Sequence, residues 1–520
     1  MPYCRKSGTW PAGEEWLFEV MNETYIPLLS TLRNLHKDNI RPRFTIGITP
    51  ILAEQLADKY MKERFEDYME DKIRRSEKDI ARFLNNPKKH KLAKTWRENY
   101  TKILQTYKQD LYADILGTFK WLQEEKSIEL VTSAATHGFL PLLEHDSAVY
   151  SQIHLGVTTY EKHFGVKPKG IWLPECAYRH KEWSSRKNME RRSLDEWLAD
   201  EGLQYFFVEN IALTQAEFIE NKHKELHPST FRGYQLESGV TVFGRNAATG
   251  RQVWDPDVGY PGIPAYQDFH SKDPESGLHY WKITGKAEKE LYDPQSASLH
   301  IKEQAADFVE ISNALLVDSA EHILDCPPIV MAPYDCELFG HWWHEGVSWL
   351  EQVYRNLAEN SHIKPQTLSE YITENKDGFS VIRMKPSSWG ENGDFSVWTN
   401  PEHSWLWPYI NASVNDFELV LQNVSTSSRT LTQRDTRILR QTGRELLLME
   451  GSDWPFLLHT QQAKDYANQR FHHHHQRFNK LLWAAKNLEE IQRISDHDLQ
   501  EMEDIDNPWP DLDFTFFQSR

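Results

Sequence analysis

Two rhythms of apolar positions run through the chain. Runs rich in β-branched or aromatic residues at 43–49, 128–133, 170–173, 204–208, 240–245 and 328–332 predict six buried strands. Between several of them the apolar residues fall at helical spacing, as at 52–60 and 149–163, which predicts βα units and a parallel sheet or barrel. Residues that act on a substrate should then sit just after the strands, where strand ends surround one mouth.

Residues 61–125 are highly charged with scattered aromatics and predict long helices with a solvated face, inserted into the strand-bearing region. Past about residue 400 the strand signals fade, while 431–448 and 463–487 carry helical periodicity. The expected division is a catalytic α/β region over 1–400, including the insertion at about 61–125, and a helical domain over 401–520. His472 to His475 lie inside a helical pattern where four consecutive rings cannot share a face, so they predict an exposed patch instead of a metal site.

Charge narrows the partners. With 77 acidic and 59 basic side chains the net charge is −18, which repels nucleic-acid phosphates and anionic membranes and suits a neutral substrate. The first ten residues hold no apolar signal-like stretch and no run of 18 apolar residues follows, so a cytoplasmic location is expected. Cys4, Cys176, Cys326 and Cys336 are widely spaced and predict free thiols, mostly buried. The 19 Trp, 21 Tyr and 24 Phe often stand beside polar residues. That pattern fits sugar rings, whose C–H faces pack on aromatic planes while their hydroxyls seek hydrogen bonds, but it fits core filling equally well.

The chemistry concentrates in two segments. Gly170-Ile-Trp-Leu-Pro-Glu-Cys-Ala-Tyr178 runs from a strand into Glu175, and Pro327-Pro-Ile-Val-Met-Ala-Pro-Tyr-Asp335 does the same with Asp335. Both carboxyls are thus expected at strand ends around one mouth, and glycosidic cleavage needs such a pair in complementary protonation states. Attack is assigned to Glu175 and proton transfer to Asp335, with Glu337 a rival to Asp335 on spacing alone. Other polar and aromatic concentrations are Thr136-His137-Gly138, Arg245-Asn246 through Trp254, and Ser387-Ser-Trp389-Gly390 with Asp394, Trp398, Trp405 and Trp407. Each can pack loops or wall a sugar groove. His137, His341 and His344 form no HxxxH or HxH set with the two carboxylates, so neither metal nor other cofactor is expected.

At Trp172-Leu-Pro-Glu-Cys-Ala-Tyr178 and Ala332-Pro-Tyr-Asp-Cys-Glu-Leu-Phe-Gly-His-Trp-Trp343 the sequence resembles glycoside hydrolase family 57, in particular its 1,4-α-glucan branching enzymes. The resemblance extends through Gly13-Glu-Glu-Trp16, Glu23-Thr-Tyr-Ile-Pro-Leu28, Ala135-Thr-His-Gly138 and Ser452-Asp-Trp-Pro-Phe456. It implies an incomplete (β/α)7 barrel with a helical insertion and a C-terminal helical domain. It also implies a metal-independent double displacement on α-1,4-glucan, with Glu175 as nucleophile and Asp335 as general acid/base. By the same resemblance His137, Arg245, Trp254, Trp389, Trp398 and Asp453 line or support the glucan groove, and Glu337 stands behind the reacting pair.

Two departures set further expectations. The family's opening strand, with its histidine motif, would precede Pro2-Tyr3, so the first barrel strand is expected to be missing and the sheet to have an open edge. Relatives carry a tyrosine on a loop over the site. Here 209–239 contains only Tyr234, too near the next strand for a loop tip, and 217–230 is polar. A mobile loop and more hydrolysis relative to branching are therefore expected, unless Phe218 or Phe231 takes the tyrosine's place. An α-amylase or 4-α-glucanotransferase would use the same covalent chemistry, and an inactive glucan-binding protein would keep only the groove.

Overall fold

The computed structural model describes all residues except 1, 10, 185–187, 223–226, 256–257, 286–287, 321–325, 361, 491–492 and 519–520. Ten strands occur among them: β1 (Phe44–Gly47), β2 (Ile128–Ser133), β3 (Gly170–Trp172), β4 (Glu182–Ser184), β5 (Met189–Arg191), β6 (Tyr205–Val208), β7 (Glu217–Glu220), β8 (Tyr234–Gln235), β9 (Thr241–Gly244) and β10 (Val381–Arg383). Eight form one sheet in the order β1-β2-β3-β6-β9-β8-β10-β7, and β4 and β5 make a separate hairpin. The run from β1 to β9 is parallel throughout, with Ile46 opposite Leu130, Thr132 opposite Ile171, Ile171 opposite Phe206 and Phe206 opposite Val242. These are five of the six strands expected from the apolar runs. Apolar residues stand at consecutive positions because both faces are buried: Phe206 and Val242 enter one core, Tyr205, Phe207 and Phe243 another.

The sixth expected strand, 328–332, makes no ladder. The Ile329 N–H donates to the Phe231 carbonyl at 2.9 Å and the Met331 carbonyl accepts from the Asn246 N–H at 2.8 Å. Those two bonds tie it to the sheet end without pairing it. Pro327, Pro328 and Pro333 remove donors around it, which works against a continuous ladder. At the other side β1 is an outer strand, paired only with β2 among the described residues.

The stretch expected to be a mobile loop is instead partly ordered. Residues 217–220 form β7, antiparallel to β10, and Phe218 packs near Tyr234 with ring centroids 6.2 Å apart. Tyr234 is fully buried in β8, its hydroxyl accepting from the Ser229 N–H at 2.8 Å. Phe218 is thus a packing residue and not a lid tip; residues 223–226 lie outside the described part.

The insertion is helical. Lys59–Arg82 begins at Asp58, whose carboxylate caps the Met61 N–H, and Pro87–Gln105 begins at Asn86, which caps Lys89. The pair packs through Trp96 against Tyr292, and Asp79 accepts from the Tyr280 hydroxyl at 2.9 Å. A long helix, Pro294–Ala320, was not foreseen. Among the described residues five α-helices follow the last strand: Leu406–Thr426, Gln433–Met449, Asp453–Thr460, Lys464–Ala485 and Asp496–Ile505. They share one hydrophobic core with Leu173, Phe206 and Val242 of the sheet region. His474, expected in an exposed patch, is fully buried and bonded to Glu445 at 2.8 Å. The reason is the helical period: it turns one of four neighbouring rings inward while His472 and His473 stay exposed. No helix among the described residues is long and apolar enough to cross a membrane.

Candidate active site

The site begins where β3 ends. Behind Pro174 the chain turns sharply, and Glu175 and Cys176 adopt φ of 61° and 49°, a left-handed conformation costly for residues with a Cβ. Neighbouring bonds hold it there: Cys176 N–H donates to the Leu173 carbonyl at 2.9 Å, and Trp389 N–H donates to the Glu175 carbonyl at 3.0 Å. An antiparallel bridge between Tyr178 and Ser387 fixes the two segments side by side. The strain aims the Glu175 carboxylate out of the sheet end.

Both carboxylate oxygens are engaged. Trp389 Nε1 donates to Oε2 at 2.7 Å, and the Ser452 hydroxyl lies 2.9 Å from Oε1. His137, just after β2, stands with Nδ1 2.8 Å from Ser452 Oγ and 3.7 Å from Glu175 Oε1. Burial lowers the His137 imidazole below its ordinary range, against the pull of the Glu175 charge, so the ring is neutral. Burial likewise pushes the Cys176 thiol well up, which leaves it inert beside the carboxylate.

Asp335 follows the 328–333 segment and is pushed up to about 7, first by enclosure in protein, then by the Glu337 charge and by that of Glu175. Glu337 accepts from the Tyr25 hydroxyl at 2.6 Å. His341 pairs with Glu23 at 2.5 Å, bracing the loop beyond Asp335 against the first helices. The two carboxyls therefore differ in environment, one held by two donors and the other crowded by negative charge.

The remaining expected residues divide. Arg245, after β9, pairs with Glu209 and lies 5.8 Å from the Trp389 ring centroid. Trp254 is 38% exposed and faces Trp342, with centroids 5.9 Å apart, so its ring is available to a ligand. Asp453 opens the helix Asp453–Thr460 next to Ser452. Trp398 does not line a groove: it is 1% exposed and stacked on Phe139 at 4.7 Å, where it supports the turn carrying His137. Trp407 is also buried and donates to the Trp398 carbonyl at 3.0 Å. The sequence reading missed Ser452, Glu209 and Tyr25 as partners. Ser452 and Tyr25 had a signal, in the motifs Ser452-Asp-Trp-Pro-Phe456 and Glu23-Thr-Tyr-Ile-Pro-Leu28; Glu209 had none.

Among the described residues, two groups bring together three potential metal ligands: Glu445, His474 and Asp506, and the exposed His497, Asp498 and Glu501. The first is ion-paired internally, Asp506 with Arg470 at 3.7 Å and with Arg477. Those cations already neutralise the carboxylates, so the cluster reads as a lock between helices.

A carboxyl behind the end of β3 and a second behind the extended 328–333 segment, in opposed environments on an α/β sheet, are the kind of pair that glycosidic-bond chemistry uses. The family model described as Glycosyl hydrolase family 57 matches residues 1–383, and the chain belongs to that family. A second model, 1,4-alpha-glucan branching enzyme, C-terminal, matches residues 416–517. A curated 1,4-alpha-glucan branching enzyme of Thermococcus kodakarensis is 41% identical over 98% of this chain and 76% of its own length. The crystal structure of a GH57-type branching enzyme from Pyrococcus horikoshii superposes with a TM-score of 0.91 at 40% identity, covering all of this chain and 95% of the other. The α-amylase AmyC of Thermotoga maritima is also similar, with a TM-score of 0.85 at 32% identity over all of this chain and 97% of its own.

Proposed function

We propose that this protein is a retaining 1,4-α-glucan branching enzyme acting on amylose-, glycogen- or starch-like chains. Asp335, protonated, donates to the departing glycosidic oxygen as a Glu175 oxygen bonds to the anomeric carbon. The donor's reducing-end portion leaves with that proton. The 6-hydroxyl of a second glucan then attacks the same carbon, giving its proton to ionised Asp335 and releasing Glu175, so an α-1,6 link replaces an α-1,4 link. The observation that carries the reading is the contrast between the doubly bonded Glu175 carboxylate and Asp335 held up at about 7, since one group must attack while the other shuttles a proton near neutrality. The expected separation of the two carboxyls is about 5–5.5 Å, the retaining spacing.

His137, Arg245, Trp254, Trp389 and Asp453 form the groove around this pair. The sheet is read as an incomplete (β/α)7 barrel within a catalytic region over 1–400, with the helical domain over 401–520. A cytoplasmic setting fits a cofactor-independent enzyme of storage glucan. Hydrolysis or transfer to a 4-hydroxyl, as in an α-amylase or 4-α-glucanotransferase, is the second reading. It is favoured by the likeness to the Thermotoga maritima α-amylase and by the burial of Tyr234. Incubation with amylose, followed by debranching and chain-length analysis, separates the two: new α-1,6 links support branching, and reducing ends without them overturn it.

A further inference from the structure

One side chain hydrogen-bonds to both Glu175 and His137, and it comes from the C-terminal helical region. Ser452 is fully buried at the entry to the helix Asp453–Thr460. Its Oγ lies 2.9 Å from Glu175 Oε1 and 2.8 Å from His137 Nδ1, and its N–H donates to the His137 carbonyl at 3.0 Å. A hydroxyl has a single proton to give. An ionised carboxylate only accepts, so that proton goes to Glu175 and the oxygen must accept from His137. The histidine proton therefore sits on Nδ1. His137 Nε2 is left with a lone pair, and it makes no hydrogen bond among the described residues. Trp389 Nε1 on the other Glu175 oxygen completes a two-point grip on the carboxylate.

We propose that Ser452 is a positioning residue: it stops the Glu175 carboxylate from rotating and sets His137 as the Nδ1–H tautomer, whose Nε2 accepts a hydrogen bond from a hydroxyl of the sugar under attack. The inference rests on Glu175 being the nucleophile. It makes the helical region part of the catalytic step, because the bond that orients the nucleophile crosses from β3 to a helix entered 277 residues later.

The test uses the full chain and α-maltotriosyl fluoride, whose fluoride release reports donor cleavage whatever the acceptor. Ser452→Ala lowers kcat roughly 10- to 100-fold, the loss expected for a hydrogen bond to a charged group, with KM changed by less than about threefold and an unaltered melting temperature. Ser452→Thr, which keeps the hydroxyl, recovers most of kcat. His137→Asn, whose amide nitrogen replaces Nδ1 but leaves no acceptor at Nε2, raises KM. An independent readout is 15N NMR of histidine-labelled protein, with the His137 signals assigned by their loss in His137→Asn: wild type shows the Nδ1–H tautomer. An Nε2–H tautomer, or a kcat for Ser452→Ala within about twofold of wild type while Glu175→Gln is dead, overturns this inference and leaves the nucleophile assignment standing. Undiminished release in Glu175→Gln overturns both.

Discussion

Replacing Glu337 by glutamine removes one negative charge from behind Asp335 and leaves most of the packing alone, because an amide oxygen still accepts the Tyr25 hydroxyl bond. Asp335 is held at about 7 by burial first and by the Glu337 charge next. A neighbouring like charge raises a carboxyl by about one pH unit or more, so in Glu337→Gln Asp335 ionises near pH 6. Burial and Glu175 keep it from returning to the ordinary carboxyl range. The proton donor must be protonated in the free enzyme, so kcat/KM falls as pH rises through this value. Moving the midpoint from about 7 to about 6 cuts the protonated fraction at pH 7 from about one half to about one tenth, a roughly fivefold loss of kcat/KM. At pH 5 the loss is only about a tenth. The assay is the initial rate of amylose consumption, followed by loss of iodine colour, between about pH 4 and 9, because the sugar oxygen that departs there must be protonated; melting temperatures control for folding. An alkaline limb that stays in place while activity drops equally at every pH refutes the argument, since it would show Glu337 to act through packing alone.

Other outcomes follow from single contacts. Trp389→Phe keeps the ring but removes the donor to Glu175 Oε2, and kcat for donor cleavage falls about tenfold or more; an unchanged kcat means the bond orients nothing. Glu450 is fully buried, accepts from Gln152 at 2.7 Å and is pushed up to about 8 by burial. A carboxyl raised in the folded state contributes stability that is complete below its ordinary value and lost as pH rises through about 8. Glu450→Gln abolishes that loss, of which about 3 kcal/mol falls between about pH 6 and 9, and melting curves over that window that run parallel for both proteins would contradict it. Chelators leave branching unchanged, because the groups bonded to Glu175 are a tryptophan and a serine; loss of activity restored by a divalent cation would show otherwise. With Tyr234 buried, the ratio of reducing ends to new branches exceeds that of relatives carrying a tyrosine over the site, and products dominated by branches would show that residue to be dispensable.

Local pattern was enough for the parallel strands β1, β2, β3, β6 and β9, for the insertion helices, and for the placing of Glu175 behind the end of β3. In those stretches the side chains' own periodicity and the turn chemistry of proline decide the conformation before any distant contact forms. The failures share the opposite property. Residues 328–332 look like a strand, yet pairing needs a neighbour in register, which no local pattern supplies. Residues 217–220, Glu-Phe-Ile-Glu, are too short a run to read as a strand and become β7 because β10, more than 150 residues later, offers an edge. His474 looks like a surface residue until the helix rotation turns it inward, and that Trp398 supports the site from beneath instead of lining it shows only in its stacking on Phe139. The separation is clearest at the active site. Glu175 could be read from its place behind a strand and a proline. The protonation of its partner, and the Ser452 and Trp389 bonds that aim it, arise only when the chain brings charges and donors from remote segments to within hydrogen-bonding distance, because electrostatic environment belongs to neighbours in space and not in sequence.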